Sequence, residues 1–468
     1  MVKSSLSEEQ QRKLLSLFGR VRLHLLYKTS VHGLVDGYLA RCSKQGPTVV
    51  VAYNSSGFVF GAYTSKSYVQ CGQDIYDKEA FLYSISPKKD KPIKVTGIPG
   101  QPAFTDGNFG PHFGALSFLY GNQPRVHSNP GQWFNINSAA MHGGDMALTD
   151  TEVFRVEDLG DLLDKPWRTI QWTAERKQAL RKFIQSYRTE IKTVHQARVL
   201  LVGQIGSGKS SFFNSLNSIF RGNMTYQANA GIEDGKSVTT QFRSYSIKAG
   251  KGGGAIPLIL CDTMGLDESA DLGIDVDDII SVCKGHVKDR YQFSPAAPLQ
   301  ENSLSYRKHV TLNDLISCVV YVVDTCKVSV LGQKMLDNFA AIRKRTNLLG
   351  IRQILLMTKV DEACPLVAKD LKNIYRSVYI QQMARRLSDS LGLPLSNVIP
   401  VKNYSDELDL DQDIDILLLG AVEQMLNCSD SFFENLDIDE QQNDQEELYR
   451  SSDHPRPAFT ERTEQRVV

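Results

Sequence analysis

Eight residues, Gly203-Gln204-Ile205-Gly206-Ser207-Gly208-Lys209-Ser210, fit the pattern G-x-x-x-x-G-K-[ST] and constrain this chain more than any other stretch. An apolar run, Val199-Leu200-Leu201-Val202, precedes them with the length of a buried strand. Phe212, Leu216, Ile219 and Phe220 follow at helical spacing. Strand, glycine loop and helix form a phosphate-binding loop. Its backbone N–H groups (Gly203, Gly206, Ser207, Gly208, Ser211) and the helix N-terminus point at phosphate oxygens. Lys209 is expected to reach the outer phosphates, and the Ser210 hydroxyl to ligate Mg²⁺.

From Arg198 onward, apolar runs alternate with amphipathic stretches. The runs are Val199–Val202, Ile256–Cys261, Ile316–Val323, Ile354–Met357 and Val398–Val401; the stretches include Val276–Val287, Lys334–Arg345 and Leu371–Leu391. That alternation predicts a doubly wound α/β domain with a mostly parallel sheet. Phe242–Lys248, a glycine cluster and Ile256–Cys261 read as a hairpin, which places one antiparallel strand at the edge. Residues 288–312 read as an inserted loop.

Two further motifs close strands of this half. Asp262-Thr263-Met264-Gly265 puts a carboxylate where a Mg²⁺ ligand sits and the Gly265 N–H where a γ-phosphate would meet it. Thr358-Lys359-Val360-Asp361 matches [NT]-K-x-D. The Asp361 carboxylate can accept from guanine N1–H and the exocyclic amine, whereas adenine offers no such pair and would leave it unpaired. The Lys359 stem would lie against the base. Thr239 is the expected switch threonine on Mg²⁺, narrowly ahead of Thr240. Lys402-Asn403-Tyr404-Ser405 follows the last strand and could contact the base, with Asn403 as the site residue. Leu266 stands where many GTPases place a water-orienting glutamine. The loop also carries no arginine, so turnover is expected to be slow; Gln204 and Arg290 are the internal substitutes. The nucleotide is expected to be GTP or GDP with Mg²⁺, which makes the chain a possible weak GTPase. A scaffold stabilised by bound nucleotide and an ATPase are the rival readings.

The first part is organised differently. Leu23–Tyr27, Thr48–Tyr53, Phe58–Tyr63, Phe81–Ile85, Ala115–Leu119 and Glu152–Val156 read as strands with few helices between them, which predicts packed antiparallel sheets. His24, His32, His112, His127 and His142 lack the spacing of a metal site.

With 468 residues, two or three domains are expected. Boundaries fall at 1–160, 161–195 (a linker helix), 196–428 and 429–468, the last an acidic tail expected to lack structure. Lys plus Arg and Asp plus Glu both number 53, so charge gives no clear nucleic-acid site. The start, Met1-Val2-Lys3-Ser4, is no signal peptide, no apolar run approaches membrane-spanning length, and the eight cysteines form no C-x-x-C pair. A cytoplasmic protein with free thiols is expected; its protein partners and oligomeric state stay open.

The first 160 or so residues resemble the TLDc domain. Leu25-Leu26-Tyr27-Lys28-Thr29-Ser30, Gly46-Pro47-Thr48, Val59-Phe60-Gly61-Ala62-Tyr63, Phe81-Leu82-Tyr83-Ser84, Asn108-Phe109-Gly110-Pro111 and Thr151-Glu152-Val153-Phe154 carry the likeness in order. It implies a two-sheet sandwich and a partner-docking role, and no catalytic residues. The whole chain, including the distinctive Asp289-Arg290-Tyr291-Gln292-Phe293, resembles the interferon-induced protein 44 family. That resemblance implies a cytosolic antiviral protein with a GTPase-like domain.

Overall fold

In the computed structural model, residues 2–85, 89–228, 232–233, 236–237, 240–250, 252–266, 275–294 and 297–451 are described, with backbone alone for 232–237 and 437–451. The chain divides into two compact units, Met1–Asp161 and Leu162–Val468.

The first unit is built on one antiparallel sheet of β1 (Val21–Lys28), β2 (Thr48–Asn54), β3 (Val59–Thr64), β4 (Phe81–Ile85), β5 (Ile93–Thr96) and β6 (Leu148–Asp158), in the order β1-β6-β2-β3-β4-β5. Alternation along β2 sends Val50 and Ala52 into one core, with Phe60, Leu82 and Val153, and Val49, Val51 and Tyr53 into another, with Tyr83 and Phe154. Both faces are therefore covered. Leu14 of α1 (Glu8–Leu15) lies in the second core, while Tyr38 of α2 (Val35–Cys42) lies in the first with Phe104, Phe113 and Phe118. The second sheet of the expected sandwich is small. Opposite α1 lie α2 and two short ladders, Gln73–Ile75 with Phe104–Asp106 and Leu116–Phe118 with Val126–Ser128. Gly107, Gly110, Gly114 and Gly121, with Pro102, Pro111 and Pro124, interrupt this stretch, so its strands stop after three residues.

The second unit holds a mixed sheet of β7 (Ala197–Gly203), β8 (Arg243–Lys248), β9 (Ala255–Asp262), β10 (Cys318–Asp324), β11 (Arg352–Thr358) and β12 (Val398–Pro400), in the order β8-β9-β7-β10-β11-β12. Every pairing is parallel except β8 against β9. All seven residues of β10 are buried, as a strand covered on both faces requires. Helices α3 (Ala174–Ser186), α4 (Lys209–Arg221) and α8 (Gln412–Ser451) pack on one another, and α5 (Val276–Cys283), α6 (Gln333–Leu348) and α7 (Val378–Leu391) form the other layer.

Two expectations change. The helix expected to link domains is α3, and it belongs to the second unit: Leu180 and Ile184 are buried, while Arg176 meets Glu423 at 2.6 Å and Lys177 meets Asp415 at 2.5 Å. The tail expected from 429 continues α8 to Ser451 instead. Phe432 and Phe433 are buried there, and the Ser317 hydroxyl donates to Ser429 Oγ at 2.9 Å, so the stretch from 429 to 433 is anchored in the second unit. Residues 452–468 lie outside the described residues. Leu371–Leu391 is not one helix: a 3-10 turn ends at Tyr375, and the buried Ser377 caps α7, accepting from the Ile380 N–H. The insertion after 288 has no helix or strand among its described residues before Leu312. Among the described residues no helix is long and apolar enough to cross a membrane.

Candidate functional site

The motif residues gather at the C-terminal ends of β7, β9, β10, β11 and β12, where open α/β sheets place their ligand crevices. Gly203 ends β7 so close to β10 that a Cβ would lie 2.1 Å from the Val322 carbonyl oxygen. The loop then turns through Gly206 (φ 71°) and Gly208 (φ 95°), both left-handed, and α4 starts at Lys209. Ser211 follows in the first turn, its carbonyl accepting from the Ser215 hydroxyl.

Lys209 is 6% exposed, and its ammonium donates to the carbonyls of Gly203 (3.0 Å) and Gln204 (3.1 Å). Burial pushes its pKa down to about 8, against the opposing pull of the Asp262 carboxylate. The Ser210 hydroxyl donates to Asp262 Oδ2 at 2.6 Å. Asp262 is 1% exposed; burial raises its pKa, while Lys209 and Ser210 favour the charged form. Among the described residues its other oxygen, Oδ1, has no partner, and neither have Gln204 Oε1, Ser207 Oγ and Asn403 Oδ1, all buried. Each such atom costs about 1–3 kcal/mol. Three of the four are acceptors, which suit a cation or a ligand's N–H groups, and the Ser207 hydroxyl can donate to a phosphate oxygen. The Asp-x-x-Gly turn closes onto it: a Cβ on Gly265 would lie 2.7 Å from Ile205 N, and the Leu266 N–H donates to the Gly203 carbonyl at 3.0 Å.

β11 supplies the neighbouring wall. The Thr358 hydroxyl donates to the Ser207 carbonyl (2.6 Å), tying this strand end to the loop. Lys359 adopts φ 56°, and its ammonium meets Asp324 Oδ2 at 3.1 Å. Burial opposes that charge, but the Asp324 carboxylate outweighs it and raises the Lys359 pKa. Asp361 accepts from Lys402 Nζ at 3.2 Å, and the same ammonium meets Glu407 at 2.7 Å. The Asn403 amide donates to the Gly208 carbonyl at 3.1 Å, so its side chain serves the phosphate loop.

Thr239 lies outside the described residues. Thr240 is exposed, and its carbonyl accepts from Phe293 N. Arg290 is exposed beside Asp289, and Leu266 is buried. Sequence reasoning missed Asp324, although its place was signalled: like Asp262, it is an acid ending an apolar strand. Among the described residues no cluster of three or more His, Cys, Asp or Glu side chains could hold a metal. Ser210 and Asp262 form a two-ligand set of the kind Mg²⁺ completes with phosphate and water.

The TLDc domain family profile matches residues 2–157. Human interferon-induced protein 44-like is 34% identical over 443 residues, covering 94% of this chain and 97% of that protein. Interferon-induced protein 44 of Pan troglodytes is 34% identical over 433 residues (92% and 94%), and that of Mus musculus 31% over 447 (93% and 99%). Among solved structures, Era of Aquifex aeolicus matches 50% of this chain and 56% of its own at 13% identity and a TM-score of 0.28, too slight to bear on function.

Proposed function

Because this chain belongs to the interferon-induced protein 44 family, we propose that it is a cytoplasmic guanine-nucleotide-binding protein of the interferon-induced antiviral response, a GTP- and Mg²⁺-dependent switch with slow intrinsic hydrolysis. One observation carries the reading: among the described residues Ser207 Oγ, able to donate to phosphate, and Asp262 Oδ1, able to face Mg²⁺, lack partners beside a glycine loop that already holds a buried lysine. Phosphate oxygens would accept from the loop N–H groups, the Ser207 hydroxyl and Lys209, which would leave the Gly203 and Gln204 carbonyls for them. Mg²⁺, held by Ser210 and Asp262, would neutralise phosphate charge. Asp361 would accept from the guanine N1–H and amine, with the Lys359 stem against the base and Asp324 fixing its ammonium. Protein partners would dock on the TLDc unit.

Leu266 favours a second reading, a scaffold that nucleotide stabilises without being consumed. Its side chain can neither donate nor accept, and its backbone N–H is committed to Gly203. Titration of the purified full chain with GTP, GDP and ATP in Mg²⁺ tests the switch reading. GTP and GDP bind and ATP binds far more weakly; equal affinities for GTP and ATP sink it. Single-turnover phosphate release from GTP falls well below ~1 s⁻¹. Binding with no release at all selects the scaffold.

A further inference from the structure

Guanine presents three groups on one edge: the O6 acceptor, N1–H and the exocyclic amine. A carboxylate such as Asp361 satisfies the two donors and leaves O6 facing negative charge. A complete reader needs a donor next to that carboxylate, and one is present. Lys402 Nζ stands 3.2 Å from Asp361 Oδ2 and 2.7 Å from Glu407 Oε1. An ammonium carries three protons. Two are directed at these carboxylates, and the third has no partner among the described residues.

We infer that Lys402 is a specificity-determining residue, its free N–H donating to guanine O6 while Asp361 accepts from the other two positions. The inference rests on the guanine-nucleotide reading above. Glu407 is the positioning residue: its Oε2 accepts from the Ser405 N–H at 2.8 Å while its Oε1 holds the ammonium at 2.7 Å. The segment carrying Lys402 is itself anchored. Asn403 bonds Gly208, the Tyr404 N–H donates to Ser215 Oγ at 3.0 Å, and the Tyr404 hydroxyl donates to Asp415 Oδ1 at 2.7 Å. The lysine therefore rises from a base fixed to the phosphate loop and to α4. Burial works against its charge, but the Glu407 and Asp361 carboxylates outweigh that and keep it protonated. The Lys402 and Asp361 side chains are only 22% and 20% exposed, so water competes weakly for the contact. Adenine has an amino group at the O6 position. Two donors would then meet, and Asp361 would face a ring acceptor. One residue pair thus rejects adenine twice.

The test uses three nucleotides with the full chain and Mg²⁺: GTP, 6-thioguanosine triphosphate, which keeps N1–H and the exocyclic amine but carries sulfur, a weak acceptor, in place of O6, and ATP. The wild-type chain binds GTP more tightly than the 6-thio analogue by on the order of tenfold or more, the worth of one hydrogen bond to a charged donor. In Lys402→Met, GTP affinity falls to that of the analogue, and the analogue's own affinity stays put. Glu407→Gln keeps the ammonium, loosens its anchor and gives a smaller loss in the same direction, which guards against a Lys402→Met chain that misfolds. GTP preferred over ATP with unchanged GTP-to-analogue discrimination in both variants overturns the inference and leaves the nucleotide reading standing. Tighter GTP binding in Lys402→Met also overturns it, since the ammonium would then merely mask Asp361. A wild-type chain that does not prefer GTP to ATP sinks the parent reading, and this one with it.

Discussion

Lys209 holds its ammonium on two backbone carbonyls inside the protein, and this sets a pH dependence whose sign can be worked out. Its folded-state pKa is lowered from 10.5 to about 8 by burial. Between those values the unfolded chain binds more protons than the folded one, so this group makes the ligand-free fold more stable as pH rises across the window. Nucleotide binding runs the other way. A polyphosphate needs the ammonium, so above about pH 8 binding must take up a proton, and affinity falls by up to about tenfold per pH unit. Calorimetric titration with GTP between pH 7 and 9, in two buffers of different ionisation heat, should find constant affinity at first and proton uptake emerging near pH 8. A flat profile without proton uptake would show that Lys209 keeps its charge or lies away from the phosphates.

At the level of elements, the end of α8 separates composition from structure. Its acidic, polar sequence after Cys428 reads as a tail, yet Phe433 is 2% exposed and packs with Phe432 at a ring distance of 5.5 Å. Phe433→Ala should cost about 3–5 kcal/mol, the usual price of emptying a buried aromatic site. Denaturant unfolding of the second unit measures it, and a loss under about 1 kcal/mol would mean that the helix end is only loosely seated. The sequence made other elements plain for a physical reason. A strand buried on both faces must be apolar throughout, so Val199–Val202 and Ile316–Val323 announce themselves, and Gly252-Gly253-Gly254 marks the turn between β8 and β9. Phosphate-loop spacing is legible because the backbone path demands glycine at Gly206 and Gly208. In the second layer of the first unit only Ala115–Leu119 was legible, as the strand Leu116–Phe118; the other three-residue strands carry too little alternation to show a period. Asp324 escaped for another reason: its partner Lys359 lies 35 residues away in sequence; the Lys402 stretch was marked for the base, but the pairing of its ammonium with Asp361, 41 residues earlier, is made only by the sheet. Asn403 illustrates the converse. Its position was marked, but whether its amide would meet a base or the Gly208 carbonyl depends on how the chain leaves β12.

For the whole molecule, the two units each carry buried clusters of their own, and this governs how the protein should melt. Tyr27, Phe60 and Phe104 belong to a core confined to the first unit, whereas the phosphate loop and the sheet beneath it lie wholly in the second. A ligand that binds a folded unit stabilises that unit by about 2.7 kcal/mol at a hundredfold excess over its Kd. For a unit of this size, that shifts the midpoint by about 4 °C. Calorimetry of the full chain should therefore resolve two transitions, of which saturating GTP and Mg²⁺ move one. Lys209→Ala removes the shift and leaves the other transition where it was, because nothing in the core around Phe60 depends on that lysine. The outcome with most to say is a shared shift. If GTP raised both transitions together, binding energy in the second unit would be stabilising the TLDc unit as well, and the family's two halves would have to be treated as one cooperative body. With a single shift, any signal from nucleotide to a TLDc-bound partner would require that partner to touch the second unit too, since a unit whose stability ignores the ligand has no differential free energy to transmit.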